Sequence, residues 1–304
     1  MCKDQFVDIY KSLLVSYKLK EARDFCRDNI RDILPKKLYK YTFIENYSIE
    51  NLKNNQLYLN NPREFNDPFD CWLPKTQSHS KYSSAIDDGF TNILKDISMT
   101  ESMKEEFKKS VTDLKSSDQN DLYSTFNDLI DKRTRVVCFS EIPPTEIIMW
   151  SHYGNYHKGM CLEYDFSKCE DGCDIYDIIN PVIYSELPLI IEHNTNIEYY
   201  ACIALLSALY KSHEWKREEE WRFVKHIQPT DEGYKQLVPV QCLKHIYIGA
   251  CVSEHGKNEK QNDYDKRLEL RTNIINFAHK NDIDISEMER KNDSYLLHQK
   301  RLYP

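Results

Sequence analysis

Trp215-Lys216-Arg217-Glu218-Glu219-Glu220-Trp221-Arg222-Phe223-Val224 is the stretch on which the reading of this chain turns. In a strand, successive side chains alternate between the two faces. Glu218, Glu220 and Arg222 then point one way, and Glu219, Trp221 and Phe223 the other. The apolar Trp221, Phe223 and Val224 anchor the segment in a core, so the acidic pair faces a neighbouring strand or a cleft. Two carboxylates held close repel each other, and such perturbed pairs concentrate at functional sites. The plainer reading is a cross-strand ion-pair ladder, with Arg222 and Lys225 as partners and little energy at stake. On this stretch alone both readings stay open.

The rest of the composition narrows the field. A chain of 304 residues, 40% hydrophobic and 30% charged, is an ordinary soluble globule with room for one large domain or two small ones. A formal net charge of -8 argues against broad contact with nucleic-acid phosphates, though it leaves room for a local basic groove. With only 7 glycines, neither a P-loop nor a GxGxxG turn is present. The 10 cysteines are scattered, several along expected core strands (Cys138, Cys161, Cys242, Cys251). Cys169 and Cys173 form a close pair with no second pair to complete a zinc site. The N-terminus is polar and no apolar run approaches a membrane span, so a cytoplasmic protein with reduced thiols is expected.

Apolar spacing predicts two helices over residues 4 to 33, ended by Pro35. A strand at Leu38–Tyr41, a brief helix capped by Ser48 and a strand over 56–60 follow. Residues 80 to 132 are polar and helix-periodic and read as a helical insertion. Strands are expected over 135–140 and 160–166, with a helix from Pro143-Pro144 through Tyr153 between them. Residues 176 to 192 read as extended chain and 197 to 213 as a nearly all-apolar, central helix. A strand over 245–249, a charged helix over 263–279 and one or two closing strands over 283–297 complete the chain. The domain organisation expected is an N-terminal helical extension, 1–35, and a single α+β domain, 36–304, carrying the insertion at about 80–132.

Four stretches hold more polar and aromatic residues than packing requires. They are Leu38-Tyr39-Lys40-Tyr41, Phe65-Asn66-Asp67-Pro68-Phe69-Asp70, Met149-Trp150-Ser151-His152-Tyr153-Gly154 with His157-Lys158-Gly159, and the acidic stretch. In order and wording they resemble a bacterial family, domain of unknown function 2971. More distantly, a strand–helix–strand start, a middle aromatic block and a late Glu-x-Glu resemble the ADP-ribosyltransferase layout. That likeness implies a split, mixed or antiparallel sheet and NAD as cofactor. Lys40 would hold the adenosine side, Tyr153 would stack on nicotinamide, and Glu220 would bond the ribose beside the scissile bond. Glu218, two places upstream, would position the nucleophile. Tyr41, Asn66, Asp67, Trp150, His152 and Arg222 would complete the cofactor-binding set. The sequence departs from that layout where Lys40 replaces the usual His or Arg and no Ser-Thr-Ser triplet precedes the middle block.

The resemblance implies an NAD-dependent ADP-ribosyltransferase or NAD glycohydrolase acting on an unidentified macromolecule, in phage defence or as a toxin. Loss of nicotinamide leaves an oxocarbenium-like ribose that a carboxylate in a dry site stabilises. An enzymatic alternative is a divalent-metal phosphodiesterase or nuclease using Asp67, Asp70, Glu218 and Glu220. A non-enzymatic alternative is a nucleotide sensor or partner-binding module. Plain structural roles also stand beside these. Lys40 also reads as a solvated strand lysine, Asn66-Asp67-Pro68 first of all as a turn, and Trp150 with Tyr153 as core. His152 and His157 read as hydrogen-bonded structural histidines.

Overall fold

A computed structural model describes residues 1–73, 134–170, 174–189, 197–226 and 235–302. The insertion expected at about 80–132 lies outside them. Within them the chain is mixed α+β, and its strands in chain order are β1 (Leu38–Thr42), β2 (Gln56–Tyr58), β3 (Thr134–Ser140), β4 (Met160–Tyr164), β5 (Ile179–Pro181), β6 (Ile183–Ser185), β7 (Tyr210–Ser212), β8 (Glu220–His226), β9 (Lys235–Leu237), β10 (Leu243–Ile248), β11 (Asp284–Arg290) and β12 (Leu297–Arg301). The main sheet runs β12-β11-β10-β4-β1-β3-β8-β5, with β2-β9 and β6-β7 as two small sheets. Its pairings are antiparallel except β10 with β11. A parallel pair needs a long crossover, and the helix Gln261–Lys280 supplies it.

The N-terminal helices form as their spacing predicts. Phe6, Tyr10 and Leu14 line the buried side of Lys3–Val15, and Leu19, Ala22, Cys26 and Ile30 that of Leu19–Ile33. Lys3–Val15 packs on its neighbour and on the helix Ile197–Leu209. The Tyr10 hydroxyl also donates to Asn180 Oδ1 in β5 at 2.9 Å. Ile197–Leu209 is central, with Cys202, Ile203, Leu206, Ala208 and Leu209 buried.

Pairing register decides which side chains meet. Tyr39 is opposite Ser140, Ser140 opposite Glu220, and Cys138 opposite Arg222. Opposed residues share a face, so Tyr39, Cys138, Ser140, Glu220 and Arg222 stand on one side of the sheet. Lys40, opposite Leu162, alternates to the other side.

Several boundaries differ from expectation. Residues 213–218 are a 3-10 helix rather than strand, and β8 starts only at Glu220. Between them Glu219 takes the left-handed conformation, φ 45° and ψ 53°. The helix expected over 197–213 stops at Leu209 and gives way to β7. The stretch expected as extended chain opens with a helical turn, Ile175–Ile178, before β5 and β6. Ser48 is not the cap of its helix: Glu45 is, and Ser48 answers it from the third position by accepting from the Glu45 N–H. No helix among the described residues is long and apolar enough to cross a membrane.

Candidate functional site

The acidic residues of the opening stretch end in a buried ion network. Arg222, with no exposed side-chain surface, donates from Nη1 and Nη2 to the two oxygens of Asp70 at 2.8 and 2.7 Å. It also donates from Nε and Nη2 to Glu220 at 2.8 and 3.1 Å, and from Nη1 to the Ala208 carbonyl. Lys211 Nζ donates to Glu218 Oε2 at 2.6 Å and Glu220 Oε2 at 2.8 Å, with Asp70 Oδ2 at 3.6 Å. Three carboxylates thus surround two cations, leaving one surplus negative charge.

Each member arrives by a separate piece of local chemistry. Asp67 Oδ1 accepts from the Phe69 N–H at 2.9 Å, closing a turn that presents Asp70 to Arg222. The left-handed Glu219 reverses the chain so that Glu218 and Glu220 converge on one ammonium. Ser140 Oγ holds the Glu218 carbonyl at 2.5 Å, and the Glu220 N–H donates to the Tyr184 hydroxyl at 2.8 Å. Lys211 is delivered by β7, just beyond the apolar helix.

The electrostatics follow from this packing. Burial alone raises the Glu220 carboxyl, but Arg222 and Lys211 outweigh it and hold it at about 2. Burial disfavours the Lys211 ammonium, yet Glu220, Glu218 and Asp70 more than compensate and keep it charged. Burial, reinforced by Glu218, pushes the Tyr153 phenol far above its ordinary value, so it stays a proton donor.

Towards solvent the network meets an aromatic rim. The Tyr153 hydroxyl donates to Glu218 Oε1 at 2.7 Å. Lys211 Nζ lies 5.2 Å from the centre of the Trp215 ring, and His152 stands edge-on to that ring at 6.1 Å. Tyr153 and Trp215 are half-buried and His152 is exposed. The Glu218 side chain is 11% exposed against 4% for Glu220, so Glu218 is the carboxylate nearer this rim.

The expected site residues therefore divide. Glu218, Glu220, Arg222 and Tyr153 come together, and His152 sits at their edge. Trp150 does not join the rim: it is fully buried and its indole N–H donates to the Pro144 carbonyl at 2.7 Å. Tyr41 packs edge-on against Trp150 at 5.2 Å in the same core. Asn66 is exposed, and Asp67 is committed to its turn. Lys40 is turned away from Glu220 by register, and desolvation disfavours its ammonium. The sequence reading missed Lys211, whose signal was a lone lysine directly after the apolar run Ile203–Tyr210, and it missed Asp70 as the partner of Arg222. Of the four carboxylates in the metal reading, Asp70, Glu218 and Glu220 converge on the ammonium of Lys211, while Asp67 stays in its turn. Among the described residues no group of three or more His, Cys, Asp or Glu is arranged to hold a metal ion.

Fold and site together define an α+β protein whose main sheet carries an acid-rich ion network under an aromatic rim. Residues 149–223 match the model of a protein family of unknown function, DUF2971. That segment contains Tyr153, Lys211, Glu218, Glu220 and Arg222, while Asp70 lies outside it. No curated protein and no solved structure matches the chain.

Proposed function

We propose that the rim and the network beneath it bind NAD, and that the protein is an NAD-consuming transferase or glycohydrolase of ADP-ribosyltransferase type. The observation that carries this reading is the surplus negative charge, three buried carboxylates against two cations, presented below aromatic rings. Departure of nicotinamide makes the ribose cationic, and a preorganised anion in a water-poor site lowers that barrier. Glu218, nearer the rim, is the carboxylate that meets the ribose. Glu220 is the deeper of the two and is held by both Arg222 and Lys211, which suits a positioning residue. Tyr153 orients Glu218, and Trp215 offers a ring face to the nicotinamide. Lys40 takes no part.

The test is nicotinamide release from NAD by the purified chain. Glu218→Gln should lower the rate by roughly 100-fold or more, on the scale of losing one key electrostatic contact in a transition state. Turnover unaffected by that substitution in a folded protein would refute the assignment. The full engagement of Glu218 and Glu220 also favours a second reading, ligand binding without turnover. That outcome would appear as a thermal shift with NAD and no released nicotinamide.

A further inference from the structure

Cys169 and Cys242 meet where β4 and β10 leave the sheet. Tyr164, at the end of β4, is paired with Leu243, and the Asp165 N–H donates to the Cys242 carbonyl at 2.8 Å. The 3-10 turn Phe166–Lys168 then folds the chain back, bringing the two Sγ atoms to 3.2 Å in a thiol–thiol contact. Both residues are buried, yet Cys169 lines a cavity of about 400 Å³ together with Arg31, Leu34, Ser167, Glu170 and Tyr176. Cys169 is therefore the member of the pair that borders the cavity, with the Cys242 sulfur in contact with its own.

We propose that this pair is a modification site, at which a hydroperoxide-class oxidant entering the cavity converts Cys169 and Cys242 into a reversible disulfide. Cys169 sulfur attacks one peroxide oxygen, the O–O bond breaks, and Cys169 becomes a sulfenic acid with release of water. Cys242 sulfur then attacks the sulfenic sulfur; the S–S bond forms, the S–O bond breaks and a second water leaves. In sum two thiols and one hydrogen peroxide give one disulfide and two waters, the peroxide being reduced and the sulfurs oxidised. An S–S bond is about 2.05 Å long, so the sulfurs need to approach by only about 1 Å. The cross-link closes the chain between residues 169 and 242, the segment carrying Lys211, Glu218, Glu220 and Arg222, and so restrains the unfolded state. It stands whether or not the chain consumes NAD.

The experiment treats the full chain with hydrogen peroxide at about one equivalent, blocks remaining thiols by alkylation, and maps peptides by mass spectrometry without reduction. The expected product is a peptide pair joined through Cys169 and Cys242, lost on adding dithiothreitol, in a protein whose unfolding midpoint has risen by several degrees. Cys173→Ser should retain the cross-link and Cys242→Ala should lose it. Mapping the unsubstituted chain needs neither variant to fold. The proposal is overturned if both thiols remain fully alkylatable, if Cys169 pairs with Cys173 instead, or if either thiol proceeds to sulfinic acid with no cross-link.

Discussion

Lys211 is the residue on which the candidate site closes, because its single ammonium is shared among the carboxylates of Asp70, Glu218 and Glu220. Removing one partner from a buried ion network leaves uncompensated charge, which costs about 3–5 kcal/mol. Lys211→Met should therefore destabilise the fold by that order at pH 7. The loss has a pH signature. Without Lys211, Asp70 and Glu220 share Arg222 while Glu218 loses its ammonium, so protonating a carboxylate relieves the excess negative charge. The gap between variant and parent, measured by urea unfolding, should narrow between pH 7 and pH 4.5. A gap independent of pH would mean that Lys211 contributes packing and not charge. Arg222 and Lys211 are also not exchangeable in this account, since only a guanidinium can hold both oxygens of Asp70 while also donating to Glu220.

At the scale of elements, the decisive feature is the junction between the 3-10 helix His213–Glu218 and β8. A non-glycine residue in the left-handed region costs about 1–2 kcal/mol, and Glu219 bears that cost with its side chain exposed. Glu219→Gly should leave the unfolding midpoint unchanged or slightly higher. Glu219→Val should lower it, because a β-branched side chain fits that backbone poorly. Equal effects of the two substitutions would contradict the junction described. The junction also explains what could be read beforehand. Strand alternation brought Glu218 and Glu220 together on paper, and they do share a cation, but through a chain reversal and not a continuous strand. Sequence rules expect glycine or asparagine at such a reversal, so a glutamate there carries no warning. Helix spacing found the N-terminal pair of helices because helix formation there follows local periodicity. It could not separate Trp150, sunk in the core, from Tyr153, one turn on and at the rim, because sheet packing decides which side of that helix is covered. In the sequence Asp70 reads as a candidate metal ligand beside Asp67, and only the fold sets it against Arg222.

Across the whole molecule the network makes stability depend on acid. Glu220 titrates at about 2 in the folded chain against an ordinary 4.5, so folding favours its ionised form. Its contribution is complete above about pH 5 and disappears as pH falls through 4.5 towards 2. Unfolding midpoints should fall over that window, and less steeply in Glu220→Gln; equal slopes would remove Glu220 from the linkage. The matched family segment, residues 149–223, spans both the rim and most of the network, so the two form one unit of sequence as well as of space. The most direct trial of the central claim is to incubate the purified chain with NAD and quantify free nicotinamide beside Glu218→Gln. The account predicts release by the parent chain and a loss of roughly 100-fold in the variant, with both folded by circular dichroism. Equal release from the two proteins, or none from the parent together with no thermal shift on adding NAD, would contradict it.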